Sequence, residues 1–399
     1  MAKVAVLGFG TVGSGVYEII RDKSFIKTAG EEIDVKYLLD IRDFDNDEIK
    51  PYLTKDFNDI INDDEITVVA EVMGGLHPAY EFTKQLLQKG VSVVTSNKEL
   101  VATYGPELLE LAKENNALYM FEASVGGGIP VIRPMTICTK ANDIKKIAGI
   151  LNGTTNYILN EMFAKGKDFE SALSDAQAKG YAEKNPAADV EGHDACRKLA
   201  ILSSMAWGRF VDYNKIPTEG ICNITLEDVK YAEAQNCVIK LIGYADVDAE
   251  GKIYASVSPM LVSKDMIISS VCDVFNAVSV TGDSLGEAMF YGRGAGKLPT
   301  ASAVVADIID CVRHSDSKPH NIEWEVTDED IMQNYECKKH TYFVRCADTK
   351  ENIKKYFDNA EFVEIKDNEL GFTAADIAET EFRAALENVN SPIAVFKRL

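Results

Sequence analysis

"VAVLGFGTVGSGVYEIIRD" (residues 4–22) carries the strongest indication of fold class in this chain. Its apolar start, "VAVLG" (4–8), is typical of a strand buried on both faces. Gly8, Gly10 and Gly13 then form the pattern G-x-G-x-x-G, and apolar residues recur behind them at helical spacing. Alone this pattern is weak, but between a strand and a helix it indicates a loop that admits a pyrophosphate to the helix N-terminus. We therefore predict a dinucleotide-binding domain.

Three further strands follow at intervals, "DVKYLLDIRD" (34–43), "ITVVAEV" (66–72) and "VSVVTSN" (91–97). A helical stretch, "PAYEFTKQLLQKG" (78–90), lies between the last two and ends at a glycine typical of a helix C-terminus. Alternation of strands and helices predicts a parallel, doubly wound sheet. The fold class is therefore α/β, with a Rossmann-type nucleotide-binding domain over residues 1–130.

The glycine-rich turn around residue 130 marks a change of pattern. Residues 131–291 mix helical and strand-like runs, which predicts an α+β domain. Helix 297–313 follows a second glycine-rich turn, and we expect it to return to the first domain. The polar run "HSDSKPHN" (314–321) is typical of a linker. Residues 320–399 show the order βαββαβ, that of small ferredoxin-like regulatory domains.

Composition excludes several classes of protein. The 399 residues carry a net charge of −21 and contain no basic block, so we expect no nucleic-acid partner. The eight cysteines show no C-x-x-C spacing, which argues against a zinc site and favours reduced thiols. No apolar run reaches the roughly 18 residues of a membrane helix, and the first strand begins where a signal peptide would lie. We predict a cytoplasmic location and no membrane partner.

The segment "GYAEKNPAADVEGHDACRKLAIL" (180–202) collects charge directly before an apolar run. A helix that begins near residue 191 places Asp194 and Lys198 on one face, with Glu183 and Asp189 in the preceding loop. Carboxylates suit a substrate ammonium group, and a desolvated lysine can exchange a proton near neutral pH. The alternative is an ordinary exposed ion pair worth about 0.3–0.5 kcal/mol.

Lys98 follows the fourth strand, at the sheet edge where such folds bind ligands. There it could meet nicotinamide and substrate together, although a solvated loop lysine is the alternative. The second strand ends in "LLDIRDFDND", where Asp40 or Asp43 would accept hydrogen bonds from the ribose of NAD. Arg42 would instead meet the extra phosphate of NADP, which the neighbouring acids would repel. The choice between NAD and NADP stays open.

Several motifs together give the chain a resemblance to homoserine dehydrogenases in their monofunctional form. The matching stretches run from residue 4 to about 310 and are "GFGTVGSGV", "EVMGG", "TSNKELVA", "FEASVGGGIPVI", "GILNGTTNYIL", "GYAEKNPAADVEGHDACRKLAIL" and "GRGAGKLPTASAVV". The resemblance implies NAD(P)-dependent interconversion of L-aspartate 4-semialdehyde and L-homoserine, on the route to threonine, isoleucine and methionine.

The resemblance also implies roles for individual residues. Lys198 would donate the proton to the carbonyl oxygen, with Lys98 as its catalytic partner beside the nicotinamide. The implied substrate residues are Glu183, Asp194, Asp189, Tyr181, Gly153 and Thr154. The implied cofactor residues are Gly8, Gly10, Thr11, Val12, Gly13, Arg42, Gly74, Thr95, Lys98 and Gly296.

Further expectations concern a cation, the assembly and regulation. The family's monovalent-cation site (Na⁺ or K⁺) would fall on Glu122 and the carbonyl groups of Val125, Gly127 and Ile129. A homodimer or homotetramer is expected, and the tail resembles an ACT domain that could bind threonine as an effector. Two alternative functions stay open: a non-catalytic sensor of nucleotide and amino acid, and a Rossmann dehydrogenase for another small amino-acid aldehyde.

Overall fold

The computed structural model describes residues 1–21, 32–314, 322–327 and 329–399. Its first sheet has six parallel strands in the order β3-β2-β1-β4-β5-β6. These strands are β1 (Ala2–Leu7), β2 (Ile33–Leu39), β3 (Leu53–Thr54), β4 (Ile66–Glu71), β5 (Ser92–Thr95) and β6 (Tyr119–Met120). Val4 to Leu7 are fully buried, as expected of a strand covered on both faces. The predicted doubly wound sheet is confirmed.

Helices cover both faces of this sheet. They are α1 (Thr11–Arg21), the single turn α2 (Asn58–Ile61), α3 (Ala79–Gln88) and α4 (Lys98–Glu114). A later helix, Lys297–Arg313, packs on α1 across Gly15, where an added Cβ would lie 2.9 Å from the Ala301 side chain. Only a glycine allows the two helices to approach so closely. The late helix therefore joins the first sheet, although five strands of the second sheet precede it in sequence.

The second sheet has nine strands in the order β11-β10-β7-β8-β9-β15-β12-β14-β13. Its first half consists of β7 (Ile144–Ile150), β8 (Cys237–Val247), β9 (Ile253–Ser263), β10 (Phe275–Gly282) and β11 (Gly286–Arg293). Neither β8 nor β11 is predicted from the sequence pattern. β8 is buried along most of its length, so its residues do not alternate between apolar and polar, and β11 is a largely exposed edge strand without such alternation.

Six helices accompany this half of the sheet. They are α5 (Ile132–Ile137), α6 (Gly153–Lys165), α7 (Phe169–Ala178), the single turn α8 (Ala187–Val190), α9 (His193–Trp207) and α10 (Leu226–Ala234). Asn152 caps α6 by accepting a hydrogen bond from the Thr155 amide (2.9 Å). The apolar run after Lys198 is buried against the sheet, so α9 has its charged groups in its first two turns. The helix Lys297–Arg313 comes next in chain order and is labelled α11.

The C-terminal unit has the predicted order βαββαβ: β12 (Lys339–Cys346), α12 (Lys350–Ile353), β13 (Glu361–Lys366), β14 (Glu369–Ala378), α13 (Glu379–Leu386) and β15 (Pro392–Arg398). Its strands are antiparallel to one another, and β15 joins the unit to β9 through two parallel residue pairs. The unit begins at residue 339, later than the expected boundary at 320. Trp324 instead stacks on Phe210, outside the unit.

Residues 315–321, nearly all of the predicted linker, lie outside the described residues. Within the described ranges, no helix is both long and apolar enough to cross a membrane.

Candidate active site

A lysine–aspartate–lysine cluster lies between the two sheets. Asp194 binds both amines: Lys98 Nζ is 2.6 Å from Asp194 Oδ1, and Lys198 Nζ is 2.8 Å from Asp194 Oδ2. Lys198 also donates a hydrogen bond to the Leu151 carbonyl oxygen (2.9 Å). Asp194 and Lys198 are buried, whereas the Lys98 side chain is 40% exposed. The two amines that the sequence singled out therefore share one carboxylate, which is not the exposed ion pair of the alternative hypothesis.

Each member of the cluster is held by the start of a helix. Lys98 is the first residue of α4, directly behind β5, and Asn97 caps this helix by accepting a hydrogen bond from the Leu100 amide (3.1 Å). The Asn97 amide nitrogen also donates to the Gly75 carbonyl oxygen (2.6 Å). Asp194 and Lys198 lie one turn apart on α9. The carboxyl edge of the parallel sheet thus faces the polar first turns of α9.

The pKa values of the two lysines shift in opposite directions. Burial lowers the pKa of Lys198, with the nearby charge of Lys98 acting in the same direction. The charge of Asp194 instead raises the pKa of Lys98. Burial favours neutral Asp194, but the charges of Lys198 and Lys98 outweigh it and hold the pKa of Asp194 well below its usual range. Lys198 is therefore the amine with the more easily removed proton.

Asn152 is a member of the site that the sequence analysis did not identify. Its amide nitrogen donates hydrogen bonds to Asp189 Oδ1 (2.7 Å) and Asp194 Oδ2 (2.9 Å). Burial raises the pKa of Asp189, and the hydrogen bond from Asn152 opposes that shift. The only sequence signal for Asn152 is its place at a helix N-cap, which many asparagines occupy without any further role.

The other predicted substrate residues are only partly brought together. Gly153 begins α6 beside Asn152, and Thr154 donates a hydrogen bond to the Tyr181 carbonyl oxygen (2.8 Å). Tyr181 is 40% exposed, and its ring packs edge-on against Tyr157 at 5.2 Å. Glu183 is exposed, and within the described residues its carboxylate forms no hydrogen bond or ion pair. The structure does not join Glu183 to the lysine cluster.

The predicted nucleotide loop borders a cavity of about 490 Å³, whose lining includes Gly8, Gly10, Asp40 and Arg42. Gly8 has φ +96°, and an added Cβ would lie 2.9 Å from the Met73 side chain, so a larger residue is excluded. The loop residues Thr11, Val12 and Gly13 form the first turn of α1.

The acid at the end of β2 is occupied by two partners. Asp40 accepts a hydrogen bond from the Phe9 amide (2.8 Å) and is paired with the Arg42 guanidinium (2.7 Å). The Arg42 guanidinium holds the pKa of Asp40 well below its usual range. Asp43 pairs with Lys55 (2.6 Å) and does not line the cavity. Asp40 is therefore the acid positioned to meet a ribose, with Arg42 beside it.

Three predicted cofactor residues lie at other loop positions. Gly74 follows β4, and Gly296 directly precedes α11. Thr95 is buried at the end of β5 and donates a hydrogen bond to Glu71 Oε2 (2.6 Å). The Thr95 hydroxyl is thus engaged within the sheet.

The residues expected at a cation site are all buried. The Glu122 carboxylate accepts hydrogen bonds from the amides of Val131 (2.6 Å), Ile132 (2.8 Å) and Arg133 (2.7 Å) at the start of α5. By contrast, the carbonyl oxygens of Val125, Gly127 and Ile129 accept no hydrogen bond within the described residues. Buried carbonyl groups without a donor suit a hard cation, and the main-chain oxygen of Glu122 suits it better than the occupied carboxylate.

A glycine loop that opens a Rossmann domain, with a buried lysine–carboxylate cluster at the carboxyl edge of its sheet, defines an NAD(P)-dependent oxidoreductase. Residues 8–122 match the model of the homoserine dehydrogenase NAD-binding domain, and residues 130–309 match the homoserine dehydrogenase model. The chain therefore belongs to the homoserine dehydrogenase family.

Individual relatives agree with the family models. The homoserine dehydrogenase of Synechocystis sp. is 39% identical over 425 residues, covering 98% of this chain and 97% of that protein. A homoserine dehydrogenase structure from Thiobacillus denitrificans has a TM-score of 0.90 at 35% identity, covering 100% of this chain and 98% of that chain. A hyperthermophilic archaeal homoserine dehydrogenase mutant in complex with NADPH has a TM-score of 0.68 at 31% identity. The match covers 79% of this chain and 99% of that chain.

These similarities decide among the three functions that the sequence left open. The chain is an oxidoreductase with homoserine dehydrogenase activity: it interconverts L-homoserine and L-aspartate 4-semialdehyde with NAD or NADP.

Proposed function

We propose that the Lys98–Asp194–Lys198 cluster is the catalytic centre of this activity. The observation that carries the proposal is the geometry of the buried Lys198 ammonium group. Two of its three N–H groups bind Asp194 Oδ2 (2.8 Å) and the Leu151 carbonyl oxygen (2.9 Å). Within the described residues the third N–H group has no partner, so it remains for a substrate oxygen. A fixed amine with one free donor is suited to general acid–base catalysis.

The two amines have different tasks. The nicotinamide cofactor supplies or accepts the hydride. During aldehyde reduction, charged Lys198 donates its proton to the carbonyl oxygen, and during homoserine oxidation neutral Lys198 takes the hydroxyl proton. Lys98 keeps its charge through its pair with Asp194 Oδ1 (2.6 Å), so it stabilises the negative charge that develops on the same oxygen.

The carboxylates of Asp189 and Glu183 bind the ammonium group of the substrate. Asp189 has one oxygen bound by Asn152 (2.7 Å), and within the described residues its second oxygen accepts no hydrogen bond. That oxygen is available to the substrate ammonium group. Gly153 and Thr154, at the start of α6, and Tyr181 complete the pocket. Glu183 is a further ammonium ligand, which must turn inward from its exposed position.

The decisive experiment measures homoserine-dependent reduction of NAD and of NADP. Lys198→Met should lower kcat by a factor of about 100 to 10,000, because general acid–base catalysis contributes roughly that much. Cofactor binding, followed by nicotinamide fluorescence, should persist. Lys230→Met serves as the matched control, since Lys230 is exposed and only weakly paired with Glu227 (3.7 Å). Normal turnover by Lys198→Met would refute the assignment.

The cofactor preference follows from the Asp40–Arg42 pair. We expect the enzyme to use both cofactors: Asp40 accepts from the ribose hydroxyl groups of NAD, and Arg42 swings from Asp40 to the phosphate of NADP. The Arg42 side chain is 58% exposed, which leaves it room to move. Loop contacts from Gly8, Gly10, Thr11, Val12 and Gly13, together with Gly74, Thr95 and Gly296, position the remainder of the cofactor.

A monovalent cation is proposed at the turn between the two matched regions. The carbonyl groups of Val125, Gly127 and Ile129 and the main-chain oxygen of Glu122 would hold Na⁺ or K⁺ and so stiffen the hinge. Replacing K⁺ or Na⁺ by tetramethylammonium should lower the midpoint of urea unfolding and the activity together. Equal urea midpoints in all three salts would argue against the site.

The chain divides into a nucleotide-binding domain (1–130, with α11), a catalytic and dimerisation domain (131–291) and an ACT-like regulatory unit. Edge strand β11 exposes 54% of Tyr291, and we propose that it pairs copies of the chain into a homodimer or homotetramer. Light scattering will give the assembly size.

Threonine is the proposed effector of the C-terminal unit, and kinetics with added threonine will test it. Eight unpaired cysteines support a cytoplasmic location.

A further inference from the structure

We propose that Asn152 is a positioning residue, whose single amide fixes the distance between the ammonium-binding and the proton-transferring carboxylates. The inference rests on the proposed function, and it concerns how Asp189 and Asp194 can act side by side. Nothing in the roles assigned above requires an asparagine at this position.

The orientation of the Asn152 amide is determined by the helix that it caps. Asn152 Oδ1 accepts hydrogen bonds from the Thr155 amide (2.9 Å) and the Thr155 hydroxyl group (3.1 Å). A helix N-terminus offers donors, so the amide oxygen must face it and the nitrogen must face away. The nitrogen lies between Asp189 Oδ1 (2.7 Å) and Asp194 Oδ2 (2.9 Å). One planar group therefore ties two carboxylates to the start of α6.

Two carboxylates so close together repel each other, and they need donors that carry no titratable charge of their own. Asp194 is neutralised by Lys98 and Lys198, whereas the Asp189 carboxylate has no lysine bound to it within the described residues. The amide of Asn152 gives Asp189 one strong donor and leaves its other oxygen for the substrate. It also holds the Asp194 oxygen that binds Lys198.

The charges that face Lys198 determine the sign of any pH effect. Asp194 on the same helix and Asp189 on α8 favour the charged amine, whereas Lys98 at the start of α4 disfavours it. Arg197 acts on Lys98 and lies on α9 as well. A third carboxylate at position 152 would favour charged Lys198, so a higher pH would be needed to make it neutral.

Asn152→Asp and Asn152→Ser separate positioning from helix capping, because aspartate and serine are both good N-cap residues. Asn152→Asp keeps the size of the side chain and points an oxygen at two carboxylates. The rising limb of kcat against pH for homoserine oxidation should move upward by about one pH unit. Asn152→Ser cannot reach either carboxylate. It should raise the KM for homoserine about tenfold, with kcat changed less than about threefold, since a lost charge-assisted hydrogen bond has that magnitude.

Asp168→Ser is the matched control. Asp168 caps α7 by accepting a hydrogen bond from the Ser171 amide (2.8 Å), and it lies outside the site. Its replacement should leave KM and the pH limb unchanged. The inference is overturned if both variants at position 152 bind cofactor and keep the wild-type KM and pH limb. Normal turnover by Lys198→Met would instead refute the proposed catalytic centre. If Asn152→Asp does not fold, the KM of Asn152→Ser decides alone.

Discussion

Lys98 Nζ lies 2.6 Å from Asp194 Oδ1, and this ion pair connects a helix of the parallel sheet to a helix of the second sheet. The contact brings together residues from the two regions that match separate family models. It also places a permanent positive charge beside the more easily deprotonated Lys198. The chemistry of the site therefore depends on how the two sheets are packed against each other.

Lys98→Met should shift the pH dependence of homoserine oxidation. The charge of Lys98 lowers the pKa of Lys198, so its removal raises that pKa toward the 10.5 of an ordinary lysine. The neutral amine needed as a base then forms only at higher pH, and the rising limb of kcat should move upward by about one unit. Steady-state kinetics between pH 6 and 10 would measure this, with Lys230→Met as the control. A limb that stays in place, or moves downward, contradicts the assignment.

Asp194→Asn should weaken the dependence of stability on pH in acid. The folded-state pKa of Asp194 lies well below its unfolded value of 3.8, so ionised Asp194 stabilises the fold above pH 3.8. This stabilisation is lost as the pH falls through the folded-state pKa. In urea unfolding, wild type should therefore lose more stability between pH 6 and pH 3 than Asp194→Asn does. At pH 6 the variant should be less stable by about 3 kcal/mol, because two amines lose their counter-charge. Parallel pH curves for both proteins would contradict this prediction.

Arg42→Ala should change the cofactor preference. Loss of a charged partner for the extra phosphate should raise the KM for NADP about ten- to a hundredfold. The KM for NAD should stay the same or fall, because Asp40 is freed from its pair with Arg42 (2.7 Å). Initial rates with both cofactors at saturating homoserine would give the ratio. Lys50→Met is the control, since this exposed lysine lies in the same acidic segment and pairs with Asp47 (2.5 Å). An equal rise for both cofactors would contradict a role for Arg42 in discrimination.

Arg345→Met should loosen the C-terminal unit. Arg345 on β12 is buried between Asp228 of α10 and Glu369 of β14, each at 3.1 Å. Removing the cation leaves buried Asp228 without a counter-charge within the described residues and leaves Glu369 with the more distant Lys366 (3.7 Å), which costs about 3 kcal/mol of the free energy of unfolding. Urea unfolding followed by fluorescence would measure it. Lys350→Met, at an exposed pair with Glu364 (2.9 Å), should leave the urea midpoint unchanged. Similar midpoints for both variants would show that Arg345 does not hold the unit.

A helix or strand of this fold was predictable where its own short segment shows the residue spacing typical of that element. Helix α9 begins at His193, where the charged segment before it had suggested. β8 was not predictable in this way, because a strand buried along most of its length lacks the alternation that would distinguish it. The junction of β15 with β9 depends on only two residue pairs, and neither segment contains a signal for the other.

The site, like the fold, was predictable from the sequence only in part. Residue types and spacing were sufficient to indicate the nucleotide loop and to select Lys98, Asp194 and Lys198, because each sits in a local motif whose geometry follows from its own helix or turn. The tertiary structure was needed to show that both amines share one carboxylate, that Asn152 joins it to Asp189, and that Glu183 lies apart. Those relationships depend on distances between segments remote in sequence, and packing of the two sheets sets such distances while local propensity does not.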